Sequence, residues 1–162
     1  MNEEEQDELE IRQKFLIFTI DRDSYAISIT DVRELIRFPK MVPIPDVPKY
    51  IVGVTNLRSR VTPLIDMRMR LHMETCVRYS DRTVVIILER EDLFCGLIVD
   101  EVLDVLLIPE QSMEKAPKVG NMEHPLIEKI THRNNGICMI LDIARLFEDS
   151  EDARSIDMQQ EL

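Results

Sequence analysis

Tryptophan is absent and glycine is scarce, with only Gly53, Gly96, Gly120 and Gly136 in the chain. Glycines so far apart cannot build the loop that cradles a nucleotide's phosphates. Cysteine is equally thin. Cys76, Cys95 and Cys138 are an odd number without a C-x-x-C pair, which argues against a disulfide framework or a thiolate zinc site. Cys95 and Cys138 sit in apolar, strand-like runs and read as buried thiols in a reducing compartment. His72, His124 and His132 are scattered, and none stands at ligand spacing from another histidine or cysteine; the last two read as solvated turn residues. There is no G-x-S-x-G elbow, and no serine or cysteine has a local base. The expectation is a chain that is not an enzyme and needs no metal or cofactor.

Long hydrophobic runs are missing too. Nothing approaches the roughly 20 apolar residues that span a bilayer, and the acidic start MNEEEQDELE is the reverse of a signal peptide. The cytoplasm is the expected location. Basic charge is not in excess: the formal net charge is −11, and its placement matters more than its size. Residues 1–13 hold six acids against Arg12, and residues 148–162 hold six against Arg154. Between them, Lys14 to Phe147 carries 18 basic and 19 acidic residues. Acidity belongs to the ends, which are expected to be mobile and solvated. A near-neutral body without a row of aromatics argues against nucleic acid, although small barrels of other kinds bind it.

What is present is a repeat. Tyr50 to Leu71 reads as strand, polar loop, strand and short helix, and a shift of 76 positions lays Leu126 to Phe147 on it without a gap. Ile51 falls on Ile127, Val54 on Ile130, Thr55 on Thr131, Val61 on Ile137, Leu64 on Ile140, Ile65 on Leu141 and Asp66 on Asp142. Upstream the offset is 70: Phe15 falls on Val85, Ile27 on Leu97, Val32 on Val102 and Glu34 on Asp104. Two copies are too few for a solenoid, so a two-lobed body is expected. Each copy offers about five short strands and one short helix, and short strands bury their edges by curling into a barrel. The fold class read from the residues is all-β with short helices. Hairpins are expected around Asp21–Ser24 and Glu89–Asp92, with a tight turn at Asn134-Asn135-Gly136. A helical turn or bent strand is expected over Thr30–Ile36. The four prolines of residues 38–48 permit a rigid connector or an edge strand, not a central strand.

With no catalytic constellation, the remaining chemistry is a surface. Arg58 and Arg60 lie in the loop of the first copy, and Arg68 and Arg70 lie on the helix beyond it. Guanidinium groups suit planar recognition of carboxylates on a protein partner, with Leu57, Val32 and Ile36 as apolar neighbours; ordinary solubilising arginines are the alternative. Asp100, Glu101 and Asp104 form an acidic cluster expected to face solvent.

These residues carry a resemblance. Phe18–Ile20, Tyr25-Ala26-Ile27 and Val32-Arg33-Glu34 are followed by Gly53-Val54-Thr55-Asn56-Leu57-Arg58 and Pro63-Leu64-Ile65-Asp66-Met67-Arg68. Together with Val84–Leu88, Gly96–Asp100, Val102–Val105 and Ile140-Leu141-Asp142, they resemble the CheW family over about residues 14–147. The resemblance implies two SH3-like five-stranded β-barrels packed side by side, expected at about 14–76 and 82–147. Residues 1–13 would be a flexible acidic segment, and 148–162 an acidic tail. It implies a non-enzymatic adaptor that couples methyl-accepting chemoreceptors to the histidine kinase CheA. The expected partners are that kinase's regulatory domain and the receptor's cytoplasmic hairpin tip. No small-molecule substrate and no direct membrane insertion are implied. The alternative is a CheW-like regulator that binds the kinase but no receptor, in a pilus- or development-linked pathway. Carried across by position, Arg58, with Asn56 and Leu57, is the candidate receptor contact, and Val32, Glu34 and Ile36 are the candidate partner surface. Gly53 and Asn56 would shape the loop that presents Arg58. The chain departs from the family in two places: Ser59 stands where glycine is usual, and Ile127-Glu128-Lys129-Ile130 replaces a glycine-rich element. If the Ser59 position requires positive φ, a serine is strained there.

Overall fold

The computed structural model describes residues 1–71, 79–117, 126–148 and Ser150. His72, Cys76, His124 and nearly all of the 148–162 tail lie outside them. Along the chain come α1 (Glu3–Arg12), β1 (Lys14–Ile20), β2 (Asp23–Ser28), β3 (Val32–Arg37), β4 (Ile51–Leu57), β5 (Arg60–Asp66) and α2 (Met67–Arg70). Then follow β6 (Val84–Arg90), β7 (Leu93–Val99), β8 (Glu101–Leu107), β9 (Met113–Lys115), β10 (Ile127–Arg133) and β11 (Gly136–Leu141). Helical turns precede β3 and β9, and residues 143–148 close the described chain as a helix. The expected all-β class with short helices holds. The 30–36 segment is both things anticipated, a 3-10 turn at Ile29–Asp31 and then a strand.

Two sheets form, in the orders β8-β1-β2-β11-β10-β9 and β3-β6-β7-β5-β4. The division expected at 76–82 is therefore not the observed one. One compact unit comprises Met1–Asp31 with Val102–Arg145, and the other comprises Val32–Glu101 with the segment from Leu146. Under the duplication, β1 to β5 correspond to β6, β7, β8, β10 and β11. Each unit thus combines the opening hairpin of one copy with the later strands of the other, three in the second unit and four, counting the short β9, in the first. The cause is strand pairing: β3 bonds to β6 of the second copy instead of to β2, its neighbour in sequence.

The duplication extends to single atoms. Thr55 Oγ1 donates to the Lys40 carbonyl at 2.8 Å, and Thr131 Oγ1 donates to that of Ser112 at 3.1 Å. The Asp66 and Asp142 amides each donate, at 2.8 Å, to the carbonyls of Tyr50 and Leu126. The β4–β5 ladder slips between Ile51 and Gly53, and the β10–β11 ladder slips at the equivalent Ile127 and Lys129. In one unit Leu64 of β5 lies beside Gly96 of β7, and in the other Ile140 of β11 lies beside Ala26 of β2, both in parallel pairs.

Among the described residues, all four hairpins turn on two residues at positive φ: Asp21-Arg22, Arg58-Ser59, Glu91-Asp92 and Asn134-Asn135. Two-residue turns of this hand match the twist of the strands they join. The proline-rich segment is a connector whose single bridge, Val42 to Val54, lies along β4. Gly53 permits that approach, since a Cβ there would sit 2.7 Å from the Val42 carbonyl oxygen. The core of the first unit gathers Phe15, Ile17, Ala26, Ile108, Cys138 and Ile140. That of the second gathers Leu64, Val85, Ile87, Phe94 and Ile98, with Ile36, Phe38, Leu57 and Tyr79 against it.

The acidic leader, expected to be flexible, is a ten-residue helix. Asn2 caps it by accepting from the Glu5 amide at 2.8 Å, Glu3, Glu4 and Glu5 sit at its positive end, and Arg12 sits at its negative end. Those placements suit the helix dipole. None of its residues is buried.

Candidate partner-binding surface

Arg58 stands at the apex of the β4–β5 hairpin with φ at 51°, followed by Ser59 at 65°. The polar loop expected over 56–60 is thus shorter than anticipated: Asn56 and Leu57 end β4, and Arg60 begins β5. Asn56, Arg58 and Ser59 are exposed, whereas Leu57 is half-buried against the core. The Arg58 guanidinium donates from Nη2 to Glu34 Oε2 at 3.3 Å, which brings together two residues placed on different partner surfaces. The arginine side chain remains 59% exposed. Glu34 reaches it from β3, whose Val32, Glu34 and Ile36 form the half-buried row while Arg33, Leu35 and Arg37 face outward. The Glu34 Oε1 is buried, with no hydrogen-bond partner among the described residues. A carboxylate with one oxygen bonded and the other buried has room for a further donor.

The remaining arginines are spent inside the second unit. Arg68 forks onto Asp100 through Nε at 3.0 Å and Nη2 at 2.5 Å, so Asp100 is a structural anion, not the solvated acid expected of it. Arg70 is buried, its guanidinium 5.4 Å from the Tyr50 ring centre. Arg60 donates to the Asp92 carbonyl at 2.6 Å and lies 5.5 Å from the centre of the Phe94 ring. Arg33 pairs with Glu89 and approaches the same ring to 5.0 Å. Two guanidiniums over one buried aromatic cover that side of the core and hold the β6–β7 turn to the β4–β5 turn. Little in the residue pattern hints at it, because the β3–β6 pairing that brings Arg33 to Glu89 joins residues from different copies. Arg60 carried one signal: a guanidinium directly after a tight turn has a neighbouring turn within reach.

Beyond α2, Asp66 is buried and saturated. Its Oδ1 accepts from the amides of Arg68 at 2.9 Å and Met69 at 3.2 Å, and its Oδ2 accepts from the Tyr79 hydroxyl at 2.5 Å. Burial, and then the bond to Asp66, raise the Tyr79 phenol above its usual range. Of the histidines, His132 stands on β10 instead of in a turn, with Nε2 3.4 Å from Glu114 Oε1.

The family model described as CheW-like domain matches residues 14–151. The chain belongs to the CheW family. It is 36% identical over 149 residues to a chemotaxis protein CheW of Bacillus subtilis, a match covering 91% of this chain and 94% of that one. This CheW-like chain is also 32% identical over 110 residues to the protein PilI of Pseudomonas aeruginosa, covering 67% and 61%. Among solved structures, it superimposes on the scaffolding protein TtCheW of Thermoanaerobacter tengcongensis with a TM-score of 0.75. Sequence identity there is 31%, with 85% and 93% of the two chains covered. The CheW-like fold of two SH3-like β units is thus shared with a named scaffold. No helix among the described residues is long and apolar enough to cross a membrane.

Proposed function

We propose that this CheW-like chain is a non-enzymatic adaptor of chemotaxis signalling that couples receptors to the histidine kinase CheA. The observation that carries the reading is Arg58, exposed at a turn apex and held, among the described residues, by Glu34 at 3.3 Å. An exposed pair of that kind contributes about 0–1 kcal/mol. A carboxylate on a receptor tip therefore has little to displace, and Asn56 and Leu57 lie beside it. The kinase's regulatory domain would meet β3 at Val32, Glu34 and Ile36, of which Glu34 supplies the charge. The protein would work in the cytoplasm, held near membrane receptors through its partners.

Titration calorimetry against a CheA regulatory domain, with pull-down on receptor hairpin fragments, tests both halves. Arg58→Glu should weaken the receptor complex at least about tenfold and leave the kinase complex within about twofold. No kinase complex at high micromolar concentration would end the reading. The match to PilI favours a second reading, a kinase-binding module of a pilus-linked pathway. Under it the kinase complex forms, and no receptor fragment is retained even by the unaltered protein.

A further inference from the structure

A half-open cavity beside the Asp66 cap takes no part in the adaptor reading. It lies within the second unit and measures about 180 Å³. Two carboxylates and two guanidiniums line it, those of Asp66, Asp100, Arg68 and Arg82. Three of the four are already matched. Arg68 forks onto Asp100, and Asp66 accepts two amides and the Tyr79 hydroxyl. Arg82 is the charge left over, exposed and with no ion-pair partner among the described residues. It belongs to a turn that offers two more donors. The Thr83 amide bonds the Ser80 carbonyl at 3.0 Å and closes residues 80–83. Inside the turn the Ser80 amide donates to Thr83 Oγ1 at 2.9 Å, and the Arg82 amide donates to Ser80 Oγ at 3.2 Å. A hydroxyl that has accepted still has its own proton to give. Neither proton has an acceptor among the described residues, and both residues line the cavity. The duplication does not require them, since the offset that lays Phe15 on Val85 lays Glu10 on Ser80 and Gln13 on Thr83.

We propose that this cavity binds a small organic oxyanion, a phosphate monoester or a carboxylate bearing a carbon group the size of a benzene ring. The Arg82 guanidinium and the Ser80 and Thr83 hydroxyls hold the oxygens, and the bond to the guanidinium is of the stronger, charge-assisted kind. The carbon group lies against Ile98 and Val99, which complete the wall with Tyr79. Size sets one limit: a cavity of about 150 Å³ takes up benzene, so a nucleotide is too large. Charge sets the other. A cation would have to separate Arg68 from Asp100, whereas an anion displaces no existing pair. Asp81, the one acid of the turn, is not part of the wall. The proposal does not depend on which kinase or receptor the adaptor serves.

Nitrogen-proton NMR titration of the full chain reads the site, with phenyl phosphate, benzoate and inorganic phosphate as probes at constant ionic strength. Phenyl phosphate or benzoate should move the amides of Ser80, Arg82 and Thr83 saturably, with a Kd on the order of 1 mM. The tighter of the two names the oxyanion. Inorganic phosphate leaves the apolar wall uncovered and should bind at least about threefold more weakly. Arg82→Gln should weaken binding about tenfold, and Arg82→Lys, which keeps the charge without the fork, about threefold. Thr83→Val, checked for native circular dichroism, should weaken it about threefold. No saturable shift at residues 80–83 up to about 20 mM of either organic probe overturns the proposal. So does an affinity that neither Arg82→Gln nor Thr83→Val lowers, inorganic phosphate bound as tightly as phenyl phosphate, or benzylammonium bound as tightly as benzoate.

Discussion

The two units share five equivalent strands in the same order, with the short β9 added to the first, yet they are not equally full. Where β2 passes β11 in the first unit, the residue is Ala26, fully buried. Its counterpart in the second unit, where β7 passes β5, is Gly96. A Cβ at Gly96 would lie 2.6 Å from Leu64 Cδ2 and 3.0 Å from Val85 Cγ1. The second unit brings Leu64 and Val85 too close to that point for a Cβ, whereas the first accommodates one. Duplication has conserved the ladder and let the filling diverge, as expected when backbone pairing sets the frame and close packing is adjusted within it.

This difference gives the largest expected effect. Gly96→Ala should destabilise the protein by about 2–3 kcal/mol, since Leu64 and Val85 are fully buried and have little space to yield. Ala26→Gly, the reverse change at the equivalent point, should cost about 1 kcal/mol through a small void and a looser unfolded chain. Urea unfolding of both variants checks the order. Equal costs would mean that the two units are filled alike.

The helix caps differ in the same direction. Asp66 is buried and receives three donors, whereas Asp142 is half-buried and receives the Ala144 amide at 3.1 Å. Asp66→Ala strands two amides and a phenol and should cost about 2 kcal/mol. Asp142→Ala should cost about 1 kcal/mol or less.

Each unit also holds a tyrosine whose phenol is pushed up, and both act on stability in alkali. Tyr25 rises to about 12 through burial, with Asp23 and Asp21 adding to it. Tyr79 rises further through burial and the Asp66 bond. A group that holds its proton more tightly when folded adds stability that is complete below the unfolded value of 10.0 and is lost as pH climbs through the folded value. Stability should therefore fall from about pH 10 upward. Tyr79→Phe should make that fall shallower from pH 10 and leave the share due to Tyr25, a result that unfolding midpoints at pH 9, 10 and 11 would reveal.

Much of this duplication was legible before any coordinates. Apolar spacing and the paired Asp66 and Asp142 give the repeat, and the N-L-R and P-L-I-D runs give the family. The exchange of hairpins was not legible, because the two copies share one apolar pattern and either β3 or β8 fits against either hairpin. Hydrogen bonding along a free edge decides that, and edges leave no mark in composition. The fate of the arginines was hidden for a related reason. Arg58 could be placed at a turn from its neighbours alone. Arg68 and Arg70 required Asp100 and Tyr50, which reach them only once β7 lies beside β5. The helix over 3–12 was hidden as well, because its acid content suggests a solvated segment and the cap at Asn2 is a single weak signal.

The smallest effect expected of the comparison lies in the turns. Arg58-Ser59 and Asn134-Asn135 occupy equivalent places with nearly equal φ, 51° and 65° against 48° and 62°. Asparagine visits the left-handed region with little penalty, whereas serine and arginine lack its compensating local bonds. Ser59→Gly should therefore stabilise the fold by about 1 kcal/mol, and Asn135→Gly by only a few tenths. The strain also bears on Arg58. A serine at the second turn position narrows the backbone states open to the residue before it, so Ser59→Gly should loosen the Arg58–Glu34 pair while it stabilises the fold. Chemical denaturation reads the stability, and the nitrogen-proton resonance of the Arg58 guanidinium reads the pair. A gain at Ser59 no larger than that at Asn135 would mean that the second unit's turn is no more strained than the first's.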